Sequence, residues 1–247
     1  MEVVDGVAAL RPEQGPIFAV VGVFDGLHRG HAYLLEHLID EGRARSAKPA
    51  VITFDAHPDE VLTGSAPPLQ IHPDERLERL AAAGVEVTVV QHFDDAVRRT
   101  PYDAFVATIQ AGTALAGLLM TPDAAFGFER RGTPEALAAL GREQGFDVVV
   151  VPPFTLDGRA VRSSDIRAAI AAGDLRAAAD LLGRLVTLRG EIRDGAVSFD
   201  WPLALPPDGE YASRVGGAEA CLRLSDGAAR LEGPAMKAGP VAISLQP

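Results

Sequence analysis

Ile17-Phe18-Ala19-Val20-Val21-Gly22-Val23-Phe24-Asp25-Gly26-Leu27-His28-Arg29-Gly30-His31 is the stretch on which the reading of this chain turns. Ile17 to Val23 is an apolar, β-branched run with the length of a buried strand. Asp25-Gly26 marks a turn. From Gly30 to Ala44 the apolar residues Ala32, Leu35, Leu38 and Ile39 recur at helical spacing. His28 and His31 therefore stand where a strand hands over to a helix. The first N–H groups of a helix lack backbone partners and attract phosphate. Gly26 and Gly30 let a ligand approach the main chain closely. Residues three apart in a helical turn share a face, so His28 and His31 can serve one oxyanion. An imidazole donates a hydrogen bond in either charge state. Two unrelated surface histidines, or a zinc pair, are the alternatives, but no cysteine or carboxylate cluster accompanies them.

With 247 residues, 47% of them hydrophobic, the chain can bury the core of one large domain or of a large and a small one. A net charge of −11 argues against nucleic acid or an anionic membrane as partner. Any phosphate site must be a local pocket of donors on an acidic body. Cys221 is the single cysteine, which excludes an intramolecular disulfide and fits a reducing cytoplasm. The N-terminus lacks the pattern of a signal peptide, and no apolar run approaches a membrane span.

Outward from the opening stretch, strands are expected at 50–54, 85–90, 115–120 and 148–151, alternating with helices at 74–83, 102–112 and 134–144. Met1 to Pro16 is a lead-in with room for one edge strand. The alternation predicts an α/β fold, a Rossmann-like parallel sheet with helices on both faces. Ligands on such sheets bind at the carboxyl ends of the strands. After a short strand near 158–161 come two helices, the second ending at Gly183. From Val186 the texture changes to short strands, 187–192, 196–199, 220–224 and 241–245, between Gly and Pro turns. Two domains are expected: 1–185, and a small β domain over 186–247.

Three further stretches sit at strand ends or open a helix. Phe54-Asp55-Ala56-His57-Pro58 leaves the second strand, and Asp123-Ala124-Ala125-Phe126-Gly127, with Arg130 and Gly132, leaves the fourth. Arg162-Ser163-Ser164-Asp165-Ile166-Arg167 opens a helix, with Ser163 or Ser164 as N-cap. Taken singly they read as a strand exit, a loop around a buried Phe126, and an N-cap with Arg167 on a solvated face.

Taken in this order, the four stretches resemble the HxGH nucleotidyltransferase superfamily. More narrowly, they resemble the adenylyltransferase half of the bacterial bifunctional riboflavin kinase/FAD synthetases. The resemblance covers about residues 15 to 185. Departures are Val23 for an asparagine, Ala56 for a proline, Thr121-Pro122 for a glycine, Ala124 for an aromatic residue and Arg162 for a serine. It implies transfer of the adenylyl group of ATP to FMN, giving FAD and pyrophosphate, with Mg²⁺ bridging the phosphates; metal ligands stay unassigned. It implies His28 and His31 as catalytic residues. Gly22, Val23, Phe24, Asp25, Gly26, Gly30, Arg162, Ser163, Ser164 and Arg167 would bind nucleotide. Phe54, Asp55, His57, Pro58, Asp123, Phe126, Gly127 and Arg130 would bind flavin or substrate. Full-length relatives carry a kinase barrel with the signature Phe-Pro-Thr-Ala-Asn, which here reads Trp201-Pro202-Leu203-Ala204-Leu205. Leucine offers no oxygen to Mg²⁺ or phosphate. Residues 186–247 are therefore expected to be a shortened kinase relic without kinase activity, with Leu203, Leu205, Val241 and Ile243 packing a small β layer. Two other readings stay open: a nucleotidyltransferase for another phosphorylated substrate or nucleotide, and a non-catalytic flavin- or nucleotide-binding protein.

Overall fold

The computed structural model describes residues 1–233 and 237–247. By compactness the chain divides into Met1–Phe24, Gly30–Pro67 and Leu77–Phe154 as one unit, and Asp25–Arg29, Pro68–Arg76 and Thr155–Pro247 as the other. The boundary expected at 185/186 lies inside the second unit.

In chain order up to Val150 the elements are β1 (Glu2–Asp5), β2 (Ile17–Val21), α1 (Arg29–Ala44), β3 (Lys48–Phe54), α2 (Pro58–Thr63), α3 (Pro73–Ala82), β4 (Val87–Gln91), α4 (Asp95–Arg98), α5 (Tyr102–Gly112), β5 (Leu115–Met120), α6 (Pro134–Gln144) and β6 (Asp147–Val150). The strands form one six-stranded sheet in the order β1-β4-β3-β2-β5-β6. Every pairing in it is parallel. The sheet has the expected Rossmann-like character, and the lead-in supplies its edge strand. Parallel strands covered on both faces must be apolar on both, and Ala50, Val51 and Ile52 are each fully buried. Ile17, Ala19, Ile52, Val89 and Leu118 join Phe105, Ile109 and Leu137 in one core. Strand order reverses between β2 and β5, and such a switch opens a crevice at the carboxyl ends. Gly22–Phe24, Asp55–Pro58, His92–Phe93 and Thr121–Arg130 all leave strands at that end.

The second unit holds the hairpin β7 (Thr155–Leu156) and β8 (Arg159–Ala160), then α7 (Ser163–Ala171) and α8 (Leu175–Leu182). Asp174 caps α8 by accepting from Ala177 N–H at 2.9 Å, and Gly183 ends it in the left-handed region. Six strands follow: β9 (Thr187–Arg193), β10 (Ala196–Ser198), β11 (Gly209–Val215), β12 (Ala218–Ser225), β13 (Ala228–Glu232) and β14 (Gly239–Leu245). They close into an antiparallel barrel in the order β10-β13-β12-β11-β14-β9. Leu188, Ile192, Leu222, Leu231, Ile243 and Leu245 point inward.

Three expectations are corrected. Among the described residues the β region has six strands, not four, and they close into a barrel. The two further strands, β11 and β13, show no clear apolar alternation: β11 buries only Ser213, and the five-residue β13 buries Ala229 and Leu231. Leu203 is buried, but Leu205 is 36% exposed and does not join the core. Finally, Arg162 occupies the N-cap of α7 with no side-chain capping bond, and Ser163 is already helical.

Candidate active site

The first unit positions part of the predicted set at the carboxyl end of its sheet. Gly22 N–H donates to Ile52 O at 3.0 Å. Thr53, fully buried, donates its hydroxyl to Val23 O at 2.9 Å, so the strand exit is tied to β3. Phe24 is buried at φ +53. Its ring lies 5.0 Å from that of His31, tilted by 45°, which braces the imidazole by packing. His31 and Gly30 lie in the first turn of α1.

At the end of β3, Asp55 accepts from His92 Nδ1 at 2.5 Å, Phe93 N–H at 3.1 Å and Ala56 N–H at 2.7 Å. Partial burial pushes the Asp55 carboxyl up, but these hydrogen bonds outweigh it and hold it below the usual range. The same hydrogen bond raises the His92 imidazole above its ordinary value. Phe54 meets Phe93 edge to face at 5.2 Å. His57 is spent locally, its Nδ1 accepting from Asp59 N–H at 3.2 Å as the cap of α2, with Pro58 at the first helical position.

After β5, Asp123 accepts from the Thr121 hydroxyl at 2.8 Å, and Arg130 donates to Asp123 O at 3.1 Å. Phe126 is only partly buried and meets Phe105 at 5.6 Å, edge to face. Gly127 has φ +77, and a Cβ there would sit 2.6 Å from Tyr102 N. This loop is built on a backbone that only glycine supplies.

The second unit gathers the other predicted residues. Asp25, with a side chain 4% exposed, pairs with Arg167 Nη2 at 2.6 Å and accepts Gln70 N–H at 2.9 Å. Ser163 Oγ donates to Asp25 O at 3.3 Å, and Gln70 Nε2 donates to Ser163 O at 2.9 Å. Arg167 also donates to Pro68 O at 2.9 Å. So Arg167, predicted to offer its donors to phosphate, is engaged by a buried carboxylate. Gly26 has φ +84, and a Cβ there would meet Gln70 Oε1 at 2.3 Å. Ser164 and Arg162 are exposed at the start of α7, and the Ser164 hydroxyl donates to Asp165 at 3.4 Å.

His28 is 5% exposed and immediately precedes α1. Burial first, and the charge of Arg184 second, lower its pKa to about 4. The imidazole is thus neutral at physiological pH. Arg184 donates to Gly26 O at 2.5 Å and to Leu27 O at 3.2 Å.

The sequence reading missed Gln70, His92 and Arg184. His92 carried one signal, its place after a strand at the same sheet end as Asp55. Gln70 and Arg184 carried none, because their partners lie 45 and 158 residues away.

Among the described residues, no group of three or more His, Cys, Asp or Glu could hold a metal ion. No helix among them is long and apolar enough to cross a membrane.

Residues 10–165 match the FAD synthetase family. A bifunctional riboflavin kinase/FMN adenylyltransferase of Pseudomonas fluorescens is 31% identical over 196 residues, 79% of this chain and 63% of that protein. The chain thus matches under two thirds of that relative's length. A protein of the same name from Escherichia coli K12 is 30% identical over 242 residues, 95% of this chain and 77% of its own. The crystal structure of a macrolide-efflux protein from Streptococcus pneumoniae matches 99% of this chain and 88% of its own with a TM-score of 0.83. At 21% identity that likeness is one of fold. With the family match running across the strand–turn–helix that carries His28 and His31, and with relatives aligned along most of its length, this chain belongs to the FAD synthetase family.

Proposed function

We propose that the protein is an FMN adenylyltransferase, converting ATP and FMN to FAD and pyrophosphate. The observation that carries the reading is the motif of His28, immediately before α1, and His31, in its first turn, inside the family match. The FMN phosphate is already a nucleophile, so its attack on the α-phosphorus of ATP needs no general base. Catalysis is then positioning and charge stabilisation. Neutral His28 offers one N–H to an ATP phosphate. His31 stabilises the charge that develops on the transferred group. Exposed Ser164 and the opening N–H groups of α7 suit the departing β,γ-phosphates. Arg167 contributes through Asp25 rather than by direct contact. Asp55, Phe54, Phe126 and Arg130 are the flavin-side candidates.

Mg²⁺ fits as an ion that would be carried mainly on phosphate oxygens and water, since among the described residues no cluster of carboxylates, histidines or cysteines would cage it. When bound, it neutralises charge on the triphosphate. ATP and FMN as substrates suit a cytoplasmic setting. The barrel lacks the oxygen donors of the kinase signature at Leu203 and Leu205, and riboflavin is not expected to be phosphorylated.

The test is chromatographic. Purified protein with Mg²⁺, ATP and FMN should yield FAD, and with riboflavin in place of FMN should yield no FMN. His31→Ala should lower kcat by about 10²-fold, with ATP affinity changing much less. Tight FMN binding without turnover, or preference for another phosphorylated acceptor, would sink the proposal. An unchanged kcat in folded His31→Ala removes that residue from the mechanism.

A further inference from the structure

The turn before His28 is unusual in its backbone. Phe24, Gly26 and Leu27 have φ of +53, +84 and +41. Side chains other than glycine seldom adopt this region, and they stay there only where the surroundings over-determine them. Within the second unit, Asp25 is anchored by Arg167 and Gln70. The next two residues are anchored by a single side chain. Arg184 Nη2 donates to Gly26 O at 2.5 Å, and its Nη1 donates to Leu27 O at 3.2 Å and to Leu182 O at 3.5 Å. One planar fork therefore ties the turn to the end of α8.

We propose that Arg184 is a positioning residue for adenylyl transfer: by gripping the carbonyls of Gly26 and Leu27, it fixes the backbone from which His28 meets the triphosphate. This rests on the adenylyltransferase reading. The grip matters because a neutral imidazole has one N–H and one lone pair, so its usefulness to a phosphate oxygen depends on its orientation. The guanidinium charge acts in the same direction, since it lowers the His28 pKa in addition to burial and keeps the ring neutral. The other charged groups of this turn are accounted for. Asp25 is paired with Arg167, and Arg29 runs its aliphatic stem past Gly183. Lysine cannot replace Arg184 in this role, because a point charge does not span two carbonyls as a fork does.

The test combines kinetics with a titration of His28 in substrate-free protein. Arg184→Lys keeps the charge and loses the fork; Arg184→Gln and Arg184→Met remove the charge, and two such variants are made in case one fails to fold. FAD formation gives kcat and the KM for ATP. NMR of labelled histidine, with His28 assigned by His28→Gln, gives its pKa. Arg184→Lys should lose about 10-fold or more in kcat, with KM changed by less than about threefold, while His28 titrates as in the parent. The charge-removing variants should lose at least as much kcat, and their His28 should titrate higher by about half a unit or more. The proposal is overturned if the variants keep kcat within about twofold of the parent, or if His28 titrates unchanged without the charge. If the parent protein forms no FAD, the adenylyltransferase reading falls, and the titration alone decides whether Arg184 governs His28.

Discussion

His28 and His31 are three residues apart yet live in different surroundings. His31 is half-buried against Phe24, while His28 is buried beside a guanidinium. That difference has a consequence for stability. His28 titrates at about 4 in the fold against 6.5 for an ordinary imidazole. The unfolded chain therefore takes up this proton first as pH falls. The contribution of His28 to stability is complete above pH 6.5 and is lost progressively between 6.5 and about 4. The shift corresponds to roughly 3 kcal/mol. Urea titrations of the parent and of His28→Gln at pH 7.5 and 4.5 check it. The parent should lose clearly more stability across that interval than the variant does. Equal losses would show that the imidazole is not held neutral by the fold.

Among the elements, the loop from β5 to α6 depends on the conformation of a single glycine. Gly127 combines φ +77 with backbone of Tyr102 that would stand 2.6 Å from any Cβ. Its neighbours Glu129 and Arg130 also have positive φ, at +54 and +56. Gly127→Ala should therefore cost about 1–3 kcal/mol and displace Phe126 and Arg130 together. Thermal melting and the KM for FMN measure this. A folded variant with unchanged melting temperature and unchanged KM would mean that the loop neither needs this conformation nor serves the acceptor. The barrel elements behave differently. β11 buries only Ser213, and the short β13 buries Ala229 and Leu231. They exist because neighbouring strands pair with them over long registers, as β11 does with β12.

At the scale of the whole molecule, the second unit is not a tail appended after residue 185. Leu69 pairs with Leu203, with Leu69 N–H donating to Pro202 O at 2.8 Å and Ala204 N–H donating to Leu69 O at 2.7 Å. His72 lies 3.3 Å from Asp200, and Glu75, with a side chain 3% exposed, pairs with Arg189 at 3.4 Å. The altered kinase signature thus supplies backbone partners to residues 68–76. A chain ending at residue 185 would lose those partners and the Arg189 pairing of the buried Glu75 carboxylate, and breaking a buried ion pair is costly. We expect that shortened chain to aggregate or to melt well below the full chain, with FAD formation lost. A cooperative melt near that of the full chain, with full activity, would show that the barrel strands are dispensable to this unit.

Sequence alone determined the parallel sheet, most of its helices and the place of the histidine motif. These follow from periodicity and turn chemistry, which act over a few residues: α5, β5 and α6 begin and end where their apolar spacing and their Pro and Gly punctuation put them, and α8 stops at Gly183. Only the tertiary structure decided which polar groups pair. Arg167 reads as a free phosphate donor until it is found on Asp25, 142 residues away. Ser163 reads as a cap until its hydroxyl is found on Asp25 O. Arg184 does not register at all until its fork meets the turn before His28. A buried charge takes whatever partner the fold brings within reach, and that partner leaves no mark in the local pattern. Barrel closure has the same cause, since β11 and β13 are held by pairing with their neighbours rather than by any strength of their own.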